Sequence, residues 1–227
     1  MTSRFVDLSQ TFADGMPGIP RINPDGSVGE ATVSLKVVRT HAESARTLTG
    51  GASFESTDVA FPTPIATYID APYCRYPEMR DIAGLALDDV ILPGIVVDCR
   101  GTPDRTAVAI DRLPARSLAG QAVLFHFGWD AHWATPRYRA HPHIGADIID
   151  RLIADGAKLA GFDTGNADAA GDTDFPVHSR LLAKDIVIAE NLTGLDALIG
   201  TPFRFFAVPI KAAKATSMTV RAYAELL

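Results

Sequence analysis

Two cysteines in 227 residues, Cys74 and Cys99, are too few for a disulfide scaffold, so a reducing, cytoplasmic setting is expected. No apolar run is long enough to span a membrane, and the opening MTSRFVDLSQTF lacks the apolar core of a secretory signal. Lys and Arg number 21 against 27 Asp and Glu, a net charge of -6, and the basic residues form no cluster. A nucleic-acid partner, which needs such a cluster to meet phosphates, is not expected. There is no internal repeat and no low-complexity segment to suggest a solenoid or a tail. A further absence is local: TYIDAPYC (67–74) has the cadence of a metal-binding turn yet contains no histidine.

What is present suits a single mixed α/β domain over 1–227. Hydrophobic residues at 47% supply a sizeable core, and no linker divides the chain. β-Branched or alternating stretches predict strands at 31–38, 94–98, 122–127, 158–163, 185–190, 203–210 and 217–226. GADIIDRLIADGA (145–157) spaces Ile148, Ile149, Leu152 and Ile153 as a helix does, with Gly156 to end it, and 179–185 predicts a shorter helix. The Gly/Pro-rich 15–30 stretch predicts an irregular surface excursion, which with 42–56 is a candidate lid or subunit contact.

Polar groups concentrate at the edges of apolar segments in five places: 7–17, 67–74, 127–133, 162–178 and 189–195. Each has a bland explanation, since Asp70 can cap a turn, His178 can be a satisfied core histidine and Glu190 a surface charge. Together they place acid/base groups at strand ends, where α/β folds build sites. His141 and His143 in HPHIG resemble a ligand pair, but the surrounding prolines predict a loop cap or surface pair. The acidic, Gly-rich GFDTGNADAAGDTDF offers little to cradle a phosphate, which speaks against nucleotide binding.

DLSQTFADGMP (7–17), the block 125–168 and DFPVHSRLLAKDIVIAENLTGL (174–195) resemble, in order, segments of the putative cyclase superfamily of metal-dependent hydrolases. That superfamily includes kynurenine formamidase and isatin hydrolase. The resemblance implies a compact domain like the swivelling β/β/α fold, a small-molecule substrate and a homodimer or homotetramer. It also implies a signature of two histidines and an aspartate for a first metal, followed by a catalytic histidine. On PIATYIDAPYC these fall on Pro64, Tyr68, Asp70 and Cys74, so only the aspartate survives. The glycine of the signature is Ala66, and 212–218 has alanines where the family has glycines. A second metal would use Asp70 with His178 and Glu190, all present.

Proline has no side-chain donor atom and a neutral phenol is a poor ligand, so the first metal site is expected to be lost. The expected enzyme therefore works without a metal, using Tyr68, Asp70, His178 and Glu190 for acid/base or templated cyclisation of a carbonyl-containing intermediate. Trp129, Cys74 and Phe61 are expected to contact the substrate. Cys74 reads as a small buried thiol, because neighbouring carboxylates oppose a thiolate. One alternative is an amide or lactone hydrolase of arylformamidase type with one Zn or Mn on Asp70, His178 and Glu190. Another is a non-catalytic ligand-binding relative.

Overall fold

The computed structural model describes residues 4–22, 25 and 27–227, in two compact units, residues 11–65 and the remainder. In chain order the first strands are β1 (Phe5–Asp7), β2 (Ile19–Ile22), β3 (Val28–Ala31), β4 (Ser34–Arg39) and β5 (Ser56–Ala60). Next come β6 (Tyr68–Asp70), β7 (Ile91–Asp98), β8 (Ala107–Val108), β9 (Ala122–His126) and β10 (His143–Ile144). The last are β11 (Leu159–Phe162), β12 (Val187–Glu190), β13 (Phe203–Phe206), β14 (Ser217–Thr219) and β15 (Tyr223–Leu226). The helices are α1 (His41–Ala45), α2 (Ala146–Asp155) and α3 (Pro176–Leu182).

The larger unit is a mixed α/β structure, as expected, built on one sheet of order β1-β15-β13-β7-β9-β11-β12-β6-β14. Its centre, β7-β9-β11-β12, is parallel, and every other pairing is antiparallel. The central strands β9, β11 and β12 are buried along their whole length, so they read as continuous apolar runs rather than as alternating ones. Helix α2 buries Ile148, Ile149 and Leu152 and ends at Gly156, whose φ of +76° makes the left-handed cap that the sequence predicts. Gly94 is needed where β7 meets β13: a Cβ there would lie 2.1 Å from the Phe203 ring.

Two expected strands change. The 203–210 strand stops at Phe206, ahead of Pro209, which can donate nothing to a ladder. The 217–226 strand is two strands, because the chain turns at 220–222: Val220 N–H bonds to Thr67 O while Ala222 O accepts from Leu8 N–H. Separated by so short a turn, β14 and β15 nevertheless lie at and next to opposite ends of the sheet order, so the sheet curls until its edges meet. The isolated bridge between Ser9 and Leu192 belongs to the same closure.

The smaller unit corrects the irregular excursion at 15–30. It contains a β2–β3 hairpin there, although positions 23, 24 and 26 of the stretch lie outside the described residues. A second hairpin pairs β4 with β5, and α1 carries a capping box between Thr40 and Glu43. The β4–β5 hairpin exposes Leu35, Val37, Val38 and Val59. Phe61 belongs to this unit, where its ring meets Phe12 edge-on at 5.1 Å.

Candidate active site

Strand β6 sets the site. It lies between β12 and β14, with Tyr68 directly opposite Glu190 and Asp70 opposite Ile188. Side chains two apart in a strand share a face, as do directly paired residues on antiparallel strands. Tyr68, Asp70 and Glu190 are therefore brought to one face by register alone. The Tyr68 hydroxyl donates to Glu190 Oε2, and Ala167 N–H donates to Glu190 Oε1 at 2.6 Å. Both oxygens of a fully buried carboxylate are thus satisfied by the protein.

Two left-handed residues pin the strand ends. Ala66, immediately before Thr67 and Tyr68, has φ +56°, and Asn191, immediately after Glu190, has φ +57°. They are tied together: Asn191 Nδ2 donates to Ala66 O at 2.6 Å, and Tyr138 Oη donates to Asn191 Oδ1 at 2.8 Å. Thr67 Oγ1 donates to Asn191 O at 2.6 Å and accepts from Gln10 N–H at 2.9 Å. Two residues before the site strand the chain therefore takes the conformation that glycine adopts most easily, and holds an alanine in it.

His178 comes from the first turn of α3. That helix begins earlier than the expected 179, with Pro176 at its first position and a left-handed Phe175 that offers no side-chain cap. The cap is supplied from outside by Asp168, whose Oδ1 accepts from Val177 N–H at 2.6 Å. Its Oδ2 takes His178 Nδ1 at 2.5 Å and His178 N–H at 3.3 Å. One carboxylate thus ends the helix and fixes the imidazole, leaving Nε2 directed at the carboxylates of β6 and β12. From Nε2, Glu190 Oε1 is 3.5 Å away and Asp70 Oδ2 is 3.7 Å away. Asp70 Oδ2 is buried and has no hydrogen-bond partner among the described residues.

The electrostatics follow from this crowding. Burial works against charge on His178, but the Asp168 bond and the carboxylates of Asp70 and Glu190 outweigh it and raise the imidazole to about 11. Burial raises Glu190 to about 7; His178 opposes the rise and Asp70 adds to it. Burial and the same two carboxylates hold the Tyr68 phenol well above its ordinary value. Burial, then the charge of Asp70, push the Cys74 thiol up to about 12. Cys74 is half-buried rather than buried, a protonated thiol beside the cluster whose chemistry is not that of a nucleophile.

The structure brings Tyr68, Asp70, Cys74, His178 and Glu190 together. Trp129 lies apart from the polar groups, buried in the core with Nε1–H on Tyr138 O at 3.0 Å. His141 is not on the surface. It is buried, and with half-buried His143, which opens β10, it is near enough to Asp168 to feel its charge. Asp168 itself was missed by the sequence, where it is one of several aspartates in 163–174, and its place ten residues before His178 carried no recognisable signal. Asp163 was missed likewise: it takes His126 Nδ1 at 2.9 Å and the N–H groups of Phe127, Gly128 and Trp129, so it shapes the GWD turn.

Among the described residues, Asp70, His178 and Glu190 are a set whose ligand atoms all lie within 4.8 Å of one another. Two donors about 2.0–2.1 Å from a tetrahedral zinc sit about 3.4 Å apart. The observed 3.5 and 3.7 Å edges are close to that, and the orphaned Asp70 oxygen is the kind of atom a cation would satisfy. In spacing the three residues fit a divalent ion. In free ligands they are poorer, because both oxygens of Glu190 already accept protein hydrogen bonds.

The sequence profile of the family described as Putative cyclase matches residues 6–169, most of the chain, and ends before His178 and Glu190. Isatin hydrolase A from Ralstonia solanacearum is 19% identical, with a TM-score of 0.81, covering 97% of this chain and 90% of that one. An isatin hydrolase bound to the product analogue thioisatinate is 21% identical with a TM-score of 0.83, over 98% and 92% of the two chains. A potential metal-dependent hydrolase with cyclase activity is 17% identical with a TM-score of 0.74, over 97% and 96%. The chain belongs to the putative cyclase family, and the structural likenesses establish its fold.

Proposed function

We propose that this member of the putative cyclase family is a small-molecule enzyme that moves protons at a carbonyl compound to close a ring, without a metal ion. The observation that carries this reading is a cluster whose hydrogen bonds are supplied from within: Tyr68 and Ala167 satisfy Glu190, while His178 carries a proton between Asp70, Asp168 and Glu190. Asp70 Oδ2, unpartnered and buried, is the basic atom. It takes a proton from the carbon next to a carbonyl, and the resulting enolate attacks a second carbonyl of the same molecule. His178 Nε2–H stabilises the new alkoxide and then protonates it. Transfer of the first proton from Asp70 to His178, 3.7 Å away, resets the site. Tyr68 stays protonated and holds Glu190 in place. Cys74, beside the carboxylates, is assigned a substrate contact that helps hold the two carbonyls in reacting order.

We further propose a homodimer or homotetramer working in the cytoplasm. The family resemblance and the exposed apolar residues of the β4–β5 hairpin support the first part, and the two free thiols the second. Among the described residues, no helix is long and apolar enough to cross a membrane.

A second reading rests on the ligand spacing. Asp70, His178 and Glu190 would hold one Zn or Mn, with Asp168 fixing the His178 tautomer. Such an ion, when bound, polarises a carbonyl and lowers the pKa of water, which suits amide or lactone hydrolysis of arylformamidase type. Metal analysis of the purified protein, with isatin, N-formylkynurenine and diketone substrates assayed with and without EDTA, separates the two. Ring closure that survives chelation is expected. One ion per chain, required for hydrolysis, would replace the first reading with the second, and binding without turnover would leave a non-catalytic relative.

A further inference from the structure

We infer that Arg75 makes the site select substrates that carry a carboxylate beside the reacting carbonyl. The inference deepens the proposed function and rests on it, since it takes the carbonyl to sit at Asp70 and His178. Arg75 follows Cys74 directly, at the end of the short turn Pro72–Cys74, and its side chain is exposed. Its guanidinium carbon lies 5.4 Å from the centroid of the Phe175 ring, and that ring meets the His178 imidazole edge-on at 6.1 Å. Its Nη2 donates to Ser179 Oγ at 3.0 Å, so the head group is held against α3.

Two further arginines in these segments are already spent. Arg80 holds Asp89 and Asp185, and Arg180 holds Asp150. Arg75 makes no such pair among the described residues, and its bond to Ser179 uses one of five N–H donors. A planar, pre-positioned guanidinium with donors to spare binds a carboxylate through two parallel bonds. The need for it comes from the site itself: three carboxylates around one imidazole repel an anion, and Arg75 is a cation one aromatic ring away from that imidazole.

The test compares binding of benzoylformate and its neutral methyl ester by titration calorimetry, in EDTA so that an ion plays no part. The wild type is expected to bind the carboxylate about tenfold tighter, the size of one charge-assisted hydrogen-bonded pair. Arg75→Gln should remove that preference while ester binding stays unchanged, Arg75→Lys should keep part of it, and Ser179→Ala should reduce it by loosening the guanidinium. Equal binding of acid and ester by the wild type, or a preference that survives Arg75→Gln, overturns the inference. The readout is independent of turnover, so a protein that prefers the acid but closes no ring would count against the proposed function and leave the assignment of Arg75 standing.

Discussion

The two segments that meet in the site have opposite histories written in their side chains. In 64–74, Pro64, Tyr68 and Cys74 stand where the family resemblance implies imidazoles, and only Asp70 keeps a ligand. In 168–190 the machinery is complete: Asp168 caps α3 and clamps His178, and Glu190 is buried with both oxygens bonded. The difference teaches that a segment without the implied imidazoles can still be fully ordered. Tyr68 does not leave a gap; its hydroxyl turns onto Glu190, because a carboxylate in a dry interior takes whichever donor reaches it. Chemistry should therefore depend on the second segment more than on the first.

The largest effect expected is from His178→Ala, which should lower kcat by about 100- to 10,000-fold, the range for a positioned acid or base. Tyr68→Phe should cost less than this in steady-state turnover. Equal losses would break the asymmetry between the segments. Asp168→Asn sharpens the comparison from outside the reacting groups: kcat should fall about 10- to 100-fold, as for other residues that orient a functional histidine. The alkaline limb of the pH–rate profile should also move to lower pH, since a carboxylate that holds the imidazole proton has gone. A drop in kcat with an unmoved profile would assign Asp168 to folding alone.

Stability should carry the same signature with a defined sign. His178 keeps its proton in the folded chain up to about 11, whereas an unfolded histidine loses it near 6.5. The folded state binds more protons across that window, so this stabilisation is complete below the lower value and is lost as pH rises through the upper one. Glu190, raised by burial to about 7, adds a decline of the same sign at lower pH. Melting temperatures measured from about pH 6 to 10 should fall for the wild type and flatten in His178→Ala. A wild-type curve already flat would mean that the imidazole is not held as a cation.

The smallest effect concerns the first segment alone. Ala66 has φ +56°, where an L side chain is strained, and its 2% exposure leaves no solvent to relax into. Ala66→Gly should stabilise by about 0.5–1 kcal/mol, the strain relieved minus the extra freedom of an unfolded glycine, with kcat unchanged. A loss of stability in chemical denaturation would place the alanine methyl among the contacts that hold β6.

The amino-acid sequence by itself determined the kind of molecule: the buried central strands, the amphipathic α2 with its glycine cap, and Asp70, His178 and Glu190 as polar groups that the fold then brings together. Apolar periodicity and residue type are local properties, and they survive without knowledge of the neighbours. It did not reveal that His141 is buried, that Asp168 rather than another aspartate of 163–174 holds His178, or that 217–226 turns at 220–222 to place strands at one end of the curled sheet and next to the other. Those were decided by tertiary structure alone. Which acid reaches which imidazole depends on strand register, fixed by pairing between residues more than a hundred positions apart, and on where a helix begins, fixed here by the carboxylate of Asp168.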